Sequence, residues 1–277
     1  MKRSTPSCTW MLGMVLMLLA PMAAVAEEGP NATELAKASQ NPVGNLTAIP
    51  FQFNYLSGGP LGDQTLSNLN EQPVVPLKVG SKWLLIARTI VPFIDIPVAD
   101  SASGISQRVK GTGDIQQQLF FTPSHPGDPT LGFGPVLSYP TATNPLSVTG
   151  DWAAGPAAVF VKMTGPWVLG ALATQLWTFA GDGKGPDVNL LTVQPFINYN
   201  LADGWSSSFS PVITSNWSAP SGEEWTVPLG LGLTKVAAIG HQPMNLSVQY
   251  YHNVERPSTT GDNQIRFVVA PLYPFKR

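Results

Sequence analysis

Asn263-Gln264-Ile265-Arg266-Phe267-Val268-Val269-Ala270-Pro271-Leu272-Tyr273-Pro274-Phe275 closes the chain and decides its fold. Ile265, Phe267, Val269, Tyr273 and Phe275 share one parity, interrupted at Pro271. Gln264, Arg266, Val268, Ala270, Leu272 and Pro274 take the other. Successive side chains of a strand point to opposite faces, so one face is apolar with aromatic rings crowded at its end, while the other begins polar and cationic. A sandwich strand in water would rarely close a chain with two outward rings just before a charged Lys276-Arg277 tail. A strand that seals a barrel against its first strand, in lipid, has this pattern.

The address agrees. Lys2 and Arg3 precede a short apolar run from Trp10 to Leu19, and Ala24-Val25-Ala26 is a small-x-small cleavage site before Glu27. Residues 1–26 therefore read as a secretory signal peptide, too short for a membrane span. Cys8 lies ahead of the apolar run, so it is not a lipoprotein cysteine, and it leaves with the signal. Without cysteine the mature chain has neither a disulfide framework nor a thiolate metal site. It keeps 13 basic and 17 acidic residues with no basic patch, which argues against nucleic acid as a partner. Only 12% of residues are charged, about half the usual share of roughly 25%, yet no mature segment has the length of a membrane helix.

Residues 27–49 differ from the rest of the mature chain. Asn31 is positioned to cap a short helix from Thr33 to Ser39, with Glu34 in a capping-box arrangement, and Asn41-Pro42 ends it. The segment reads either as a disordered periplasmic tail or as a plug in the barrel lumen, with Glu34, Lys37, Gln40 and Asn41 as the plug's polar contacts. Residues 50–277 then divide into about twelve alternating segments. They begin with Phe51, Phe53 and Tyr55 and continue through Pro73–Val79, Trp83–Pro92, Asp114–Phe121 and Leu131–Tyr139 to the closing strand. Most have the 8 to 13 residues that suit a tilted membrane strand, for which about 9 to 11 are needed. The connections after odd segments are long, as in Gly58–Asn70, Ala99–Gly113 and Thr141–Asp151. Those after even segments are mostly tight, as in Gly80-Ser81, Thr164-Gly165 and Ala202-Asp203-Gly204. A bacterial outer-membrane barrel sorts its loops in this way, long outside and short in the periplasm. A sandwich has no reason to.

Aromatic spacing tests the same idea. Trp167 and Trp177 share a parity ten residues apart, and Trp205 and Trp217 share one twelve apart. At about 3.3 Å per residue and a tilt near 40°, each pair spans roughly 25 to 30 Å, the height of an apolar band between two aromatic girdles. Between the second pair, Ser206, Ser208, Ser210, Thr214 and Asn216 occupy the opposite face, too polar for a packed sandwich core. The expected fold is all-β, an antiparallel transmembrane β-barrel of about 12 strands with a short N-terminal helical or irregular segment.

The chain also resembles a known family. Glu34-Leu35-Ala36-Lys37-Ala38-Ser39-Gln40-Asn41-Pro42-Val43-Gly44-Asn45-Leu46 and Pro50-Phe51-Gln52-Phe53-Asn54-Tyr55 carry the likeness. Gly113-Asp114-Ile115-Gln116 and Gln194-Pro195-Phe196-Ile197-Asn198-Tyr199 extend it. They are similar to the outer-membrane proteins called transporters of the meta-pathway of phenol degradation, some of which bear the mistaken name "neuromedin U". The resemblance spans essentially the whole mature chain. It implies a β-barrel in the outer membrane and a transport role, and it supplies no catalytic residue. One departure is the end, where Phe275 is followed by Lys276-Arg277 although such barrels usually finish on an aromatic residue.

Chemistry beyond transport has little material. His125, His241 and His252 share no short motif with Cys, Asp or Glu, so metal-ligand spacing is absent, and no cofactor is expected. A lipase on the lipid face would need a serine, a histidine and an orienting amide or carboxylate together. His252 has the outward parity, but its expected neighbours are Glu224, Trp225 and Ile265, with no serine. The inward face is where function should sit. Gln52, Asn54, Lys78, Arg88, Gln116, Gln118, Gln194, Asn198, Gln249 and Arg266 are expected to line it. Arg88 and Arg266 are the most informative of these, because ionisable groups at membrane depth must face water or a partner. They read either as part of a polar path that favours anions or as structural groups paired with Asp114 or Glu224 across the lumen. Gly230 and Gly232 are expected to leave room for the Glu34–Leu46 segment.

The leading expectation is a porin-like outer-membrane channel for a small-molecule solute, hydrophobic or aromatic if the family name holds, with outer-membrane lipid and the barrel-assembly machinery as partners. The rivals are a sealed structural or surface-recognition barrel and, more distantly, a lipase.

Overall fold

The computed structural model describes residues 32–59, 62, 64–99, 106–143, 151–181 and 187–274. The expected signal peptide, the expected cap Asn31 and the terminal Phe275 lie outside the described residues.

Among the described residues one helix, α1 (Ala32–Ser39), precedes sixteen strands. The first half of the sheet comprises β1 (Leu46–Ala48), β2 (Phe51–Ser57), β3 (Thr65–Glu71), β4 (Val74–Val79), β5 (Trp83–Ala99), β6 (Ser106–Thr112), β7 (Ile115–Pro123) and β8 (Thr130–Tyr139). The second half comprises β9 (Asp151–Thr164), β10 (Trp167–Gly181), β11 (Asn189–Asn200), β12 (Trp205–Phe209), β13 (Ile213–Asn216), β14 (Trp225–Ile239), β15 (Gln242–Glu255) and β16 (Asn263–Pro274). Four pairs of consecutive strands continue one another, β1 with β2, β3 with β4, β6 with β7 and β12 with β13, which makes twelve staves of antiparallel sheet. The ring closes where β16 pairs with β2 in the register Arg266↔Asn54 and Phe267↔Phe53, and with β1 through Thr47↔Tyr273. A closed barrel leaves no edge strand, which is the condition for crossing lipid without orphaned backbone groups.

The breaks within staves fall at proline or glycine. Pro50, Pro73 and Pro211 lack the N–H a ladder needs. Their neighbours repair the gaps: Gln72 N–H donates to Pro50 O at 2.8 Å, Thr89 N–H to Pro73 O at 3.0 Å and Gly113 N–H to Pro92 O at 2.8 Å. Tight turns at 80–82, 165–166 and 240–241 mark one end of the barrel, with a 3-10 turn at Ala202–Gly204. The longer connections leave from the other.

Two strands contradict the sequence reading. Thr65–Glu71 and Ser106–Thr112 are strands, although both stretches were expected inside the long loops Gly58–Asn70 and Ala99–Gly113. They carry their staves past the apolar band. There the outward face meets water, so no apolar alternation is demanded and none appears in Thr-Leu-Ser-Asn-Leu-Asn-Glu. At this rim Asp95 bridges Arg108 at 2.7 Å and Lys110 at 3.3 Å.

The outward face has the composition of a lipid-facing surface. Leu231, Phe179, Phe133, Leu131, Leu229 and Ile197 are all exposed, with Leu231 at 69%. Indole and phenol rings pair at the two ends. Trp167 meets Tyr199 at 4.7 Å beside the tight turns, whereas Tyr139 meets Trp152 at 5.4 Å and Trp217 meets Trp225 at 5.5 Å beside the long loops. Trp205 stacks under Lys235 Nζ at 5.0 Å, and that ammonium donates to Asp203 O, so the cation sits at the tight-turn end.

The core is inside the ring and in two parts. On β5 and β7 to β11, inward-facing Ile86, Phe120, Val136, Val159, Val168 and Leu172 pack into one apolar wall. Around β14 and β16, Val236, Ala270 and Leu272 form a smaller cluster with Leu46 and Ala36. The residues expected to line the lumen were all polar or charged. Half its wall is apolar, because on β8 to β10 both faces carry apolar or small residues and the alternation of polarity disappears.

Candidate functional site

Between the apolar wall and the closing seam runs a polar strip. Asn54, Gln118, Asn198, Gln249 and Arg266 are buried inside the ring at 3%, 4%, 6%, 7% and 2% exposure. Gln52 points inward beside them and donates from Nε2 to Asn54 Oδ1 at 3.2 Å. Gln116 and Gln194 stand on the inward side of their staves, opposite Ser138 and Leu172. Lys78 stands opposite Leu84 and is exposed at the tight-turn mouth, away from the strip.

The strip is organised by hydrogen bonds between neighbouring staves. Asn54 Oδ1 accepts from Gln264 Nε2 at 3.0 Å and from Arg266 Nε at 3.2 Å. Arg266 Nη1 donates to Gln249 Oε1 at 3.1 Å and to Ser210 O at 3.0 Å, where β12 and β13 part and a carbonyl is free to turn inward. Its guanidinium carbon lies 5.0 Å from the centre of the Tyr251 ring, and the Tyr251 hydroxyl donates to Gln249 Oε1 at 3.0 Å. Arg88, half-buried on β5, donates from Nη1 to Gln118 Oε1 at 3.3 Å and from Nη2 to Gln72 Oε1.

The expected partners of these arginines are elsewhere. Asp114 Oδ1 accepts the backbone N–H groups of Thr141 and Ala142, and Glu224 Oε2 accepts that of Gly222. Among the described residues no carboxylate stands at ion-pair distance from Arg88 or Arg266. Sequence reading missed Gln72, Asn68, Asn70 and Tyr251, which complete the strip. Tyr251 shares the parity of Gln249 and was findable. Gln72 was not, since a strand break beside Pro73 hides its face.

The N-terminal segment lies across the tight-turn mouth. α1 packs on the 3-10 turn and on β14, with Ala36 fully buried. Gln40 and Asn200 exchange reciprocal amide bonds at 3.0 Å, Gln40 Nε2 also donates to Ser206 Oγ at 3.1 Å, and Asn245 Nδ2 reaches Ser39 Oγ at 3.2 Å. Asn41 Oδ1 accepts from Val43 N–H at 3.0 Å and turns the chain. Val43, only 2% exposed, then enters the apolar wall with Leu84, Ile86 and Phe120. Of the four polar contacts expected here, Gln40 touches the barrel and Asn41 shapes the segment. Glu34 and Lys37 instead bridge each other at 3.1 Å, with Glu34 facing solvent.

Glycine makes the room, but not at the expected positions. A Cβ on Gly230 would lie 1.8 Å from Tyr250 O, and one on Gly232 would lie 2.4 Å from Gln249 Cγ, so these glycines serve the barrel wall. Gly132 faces the segment: a Cβ there would lie 3.1 Å from Val43 Cγ1 and 2.9 Å from Val159 Cγ1. Gly132→Val should therefore push Val43 out, at a cost of about 1 to 3 kcal/mol of overpacking. Limited proteolysis of the refolded protein should cut the N-terminal segment faster in this variant, and unchanged protection would mean that Val43 does not need this space.

On the outward face, His252 Nδ1 lies 3.2 Å from Asn263 Oδ1, which also accepts from the Tyr250 hydroxyl at 2.7 Å. The neighbour across the seam is thus Asn263 and not the expected Ile265, because the register pairs His252 with Asn263. No serine hydroxyl among the described residues hydrogen-bonds to this imidazole.

A closed twelve-stave antiparallel ring with an apolar exterior, two aromatic girdles and a partly polar interior has the architecture of bacterial outer-membrane barrels. The COG4313 outer membrane channel from Pseudomonas putida F1 is similar to it with a TM-score of 0.62 and 13% identity, over 83% of this chain and 96% of that one. The NanC porin aligns at a TM-score of 0.49 and 9% identity, over 83% of this chain and 100% of that one. The outer membrane phospholipase A of Escherichia coli aligns at 0.44 and 16%, over 83% and 93%. No family model matches the sequence, nor does any curated protein. At such identities the first of these likenesses speaks for the fold.

Proposed function

We propose that this protein is a channel of the bacterial outer membrane, delivered there by the barrel-assembly machinery, that lets a small solute pass through the barrel interior. The observation that carries this reading is the inner strip of amide and guanidinium groups from Gln72 to Gln249, buried in the ring and bonded laterally to one another. Polar groups at membrane depth cost several kcal/mol each unless they are satisfied or meet water or a ligand, and a barrel with a merely structural role is more cheaply filled with apolar side chains. The apolar wall opposite suits a solute with a hydrophobic or aromatic body, in keeping with the family resemblance. That part of the reading is abandoned if a deletion strain takes up phenolic compounds at the normal rate.

The sealed-barrel reading has its own support in the tight packing of Val43 against the wall. Liposome swelling separates the two. Vesicles containing the refolded protein should swell in an isosmotic solution of a small solute and stay at rest in a large sugar. No swelling from either the full chain or a chain without residues 27–45 would favour the sealed barrel.

A further inference from the structure

We propose that Arg88 and Arg266 form a binding site for a carboxylate-bearing solute inside the barrel. This rests on the channel reading and names the class of solute it serves.

Two cations stand on the inward face of the ring, Arg88 opposite Gln118 and Arg266 opposite Gln249 and Asn54. Arg266 is 2% exposed, and Arg88 keeps part of its surface open to the interior. Buried arginines in proteins are ordinarily matched by carboxylates, because an unpaired charge out of water is costly. Here every acceptor among the described residues is neutral: the Gln72 and Gln118 amides for Arg88, and the Asn54 and Gln249 amides, the Ser210 carbonyl and the Tyr251 ring for Arg266. Neutral acceptors fix the two guanidinium groups in place without cancelling either charge. They also leave donors over. The bonds of Arg88 use Nη1 and Nη2, and those of Arg266 use Nε and Nη1, so Nε of the first and Nη2 of the second are not engaged by them.

Two oriented, unneutralised guanidinium groups are an anion site prepared in advance, since the cost of ordering them is met by the fold. A carboxylate suits them better than a larger polyanion. It is a planar single charge whose two oxygens accept from one guanidinium or bridge two. The next inward residues toward the tight-turn mouth, Ile86 on β5 and Phe120 on β7, are apolar and fully buried with Val43, so they bound the site on that side.

The test uses the refolded full chain in detergent and isothermal titration with benzoate, its neutral isostere benzamide, and inorganic phosphate. Benzoate should bind saturably, and benzamide and phosphate should not. Arg88→Gln should weaken benzoate by about tenfold or more, the loss of one charged hydrogen-bond pair, while Arg88→Lys should retain part of the affinity. Arg88 is chosen because it is the less buried of the two. Circular dichroism and the heat-modifiable gel shift of a folded barrel check that each variant is assembled. The proposal is overturned if benzamide binds as well as benzoate, if phosphate alone binds, or if a folded Arg88→Gln variant binds benzoate undiminished. Binding is read without current, so the two readings fail separately. A protein that binds benzoate but passes no solute keeps the site and loses the channel. One that passes solutes and ignores benzoate does the reverse.

Discussion

Removing residues 27–45 should raise the current that the barrel carries and lengthen its open times. In the intact protein three contacts of different kinds hold the segment at the tight-turn mouth, and the expected result follows if it blocks the way through. Ala36 is buried against the β14 and β16 cluster, Gln40 is locked to Asn200 and Ser206, and Val43 is inserted into the apolar wall. The deletion removes all three and leaves β1 and the ring intact. Val43→Asp gives a finer test with the whole chain present. Full burial of a valine side chain is worth about 1.5 to 3 kcal/mol, so losing it should shift the balance between docked and undocked segments by roughly tenfold to a hundredfold, before any penalty for the carboxylate. Single-channel recording in a planar bilayer should show longer open times for Val43→Asp and sustained current for the deletion. Equal currents from all three proteins would mean that the segment is a structural strut and not an obstruction.

The second large effect concerns the outer face. Leu231, midway along β14, is the most exposed of the large apolar residues at 69%, and Leu229 and Leu233 flank it on the same side. An arginine there would stand in hydrocarbon near the bilayer midplane. Leu231→Arg should cost about 2 to 4 kcal/mol of folding free energy in lipid. Lys78→Ala, an exposed change at the mouth, should stay within about 0.5 kcal/mol. Urea titrations of both variants refolded into phospholipid vesicles give the comparison. A Leu231→Arg midpoint equal to that of the parent would show that this face does not meet lipid, and with it the inward assignment of the arginine strip would fall.

Alternation along a strand is a local property, so much of the architecture could be read from single segments. Ile265, Phe267 and Tyr273 against Arg266 set the outer and inner faces of β16 before any partner strand was known. Trp167 and Trp177 set the height of the apolar band, because both ends of one strand carry their own girdle residue. The alternation of long and short connections showed the two ends of the barrel. Where the surroundings are the same on both faces the signal vanishes. β3 and β6 carry polar or charged side chains outward, Ser67 and Glu71 on one and Arg108 and Lys110 on the other, so both lack an apolar outer stripe and looked like loops. β9 carries Ala153, Ala157, Val159 and Val161 inward and Trp152 and Phe160 outward, so its inner face could not be told from its outer by polarity.

The contents of the lumen depend on closure. Arg266 meets Asn54 because the last stave pairs with the first, 212 residues apart in the chain, in one particular register. Arg88 meets Gln72 because Pro73 interrupts its stave just where that side chain turns inward. Val43 has no signature at all: a lone valine after Asn-Pro finds its place only because Gly132, on a stave far away in sequence, leaves a gap of the right size. By itself the chain determined its secondary structure period, its lipid-facing surface and its two membrane boundaries, since each follows from what a residue's own side must touch. Only the closed ring decided that two arginines share the interior with no acid of the described residues paired to either, and that the N-terminal segment lies across the mouth. Those are meetings between residues that no local pattern brings together.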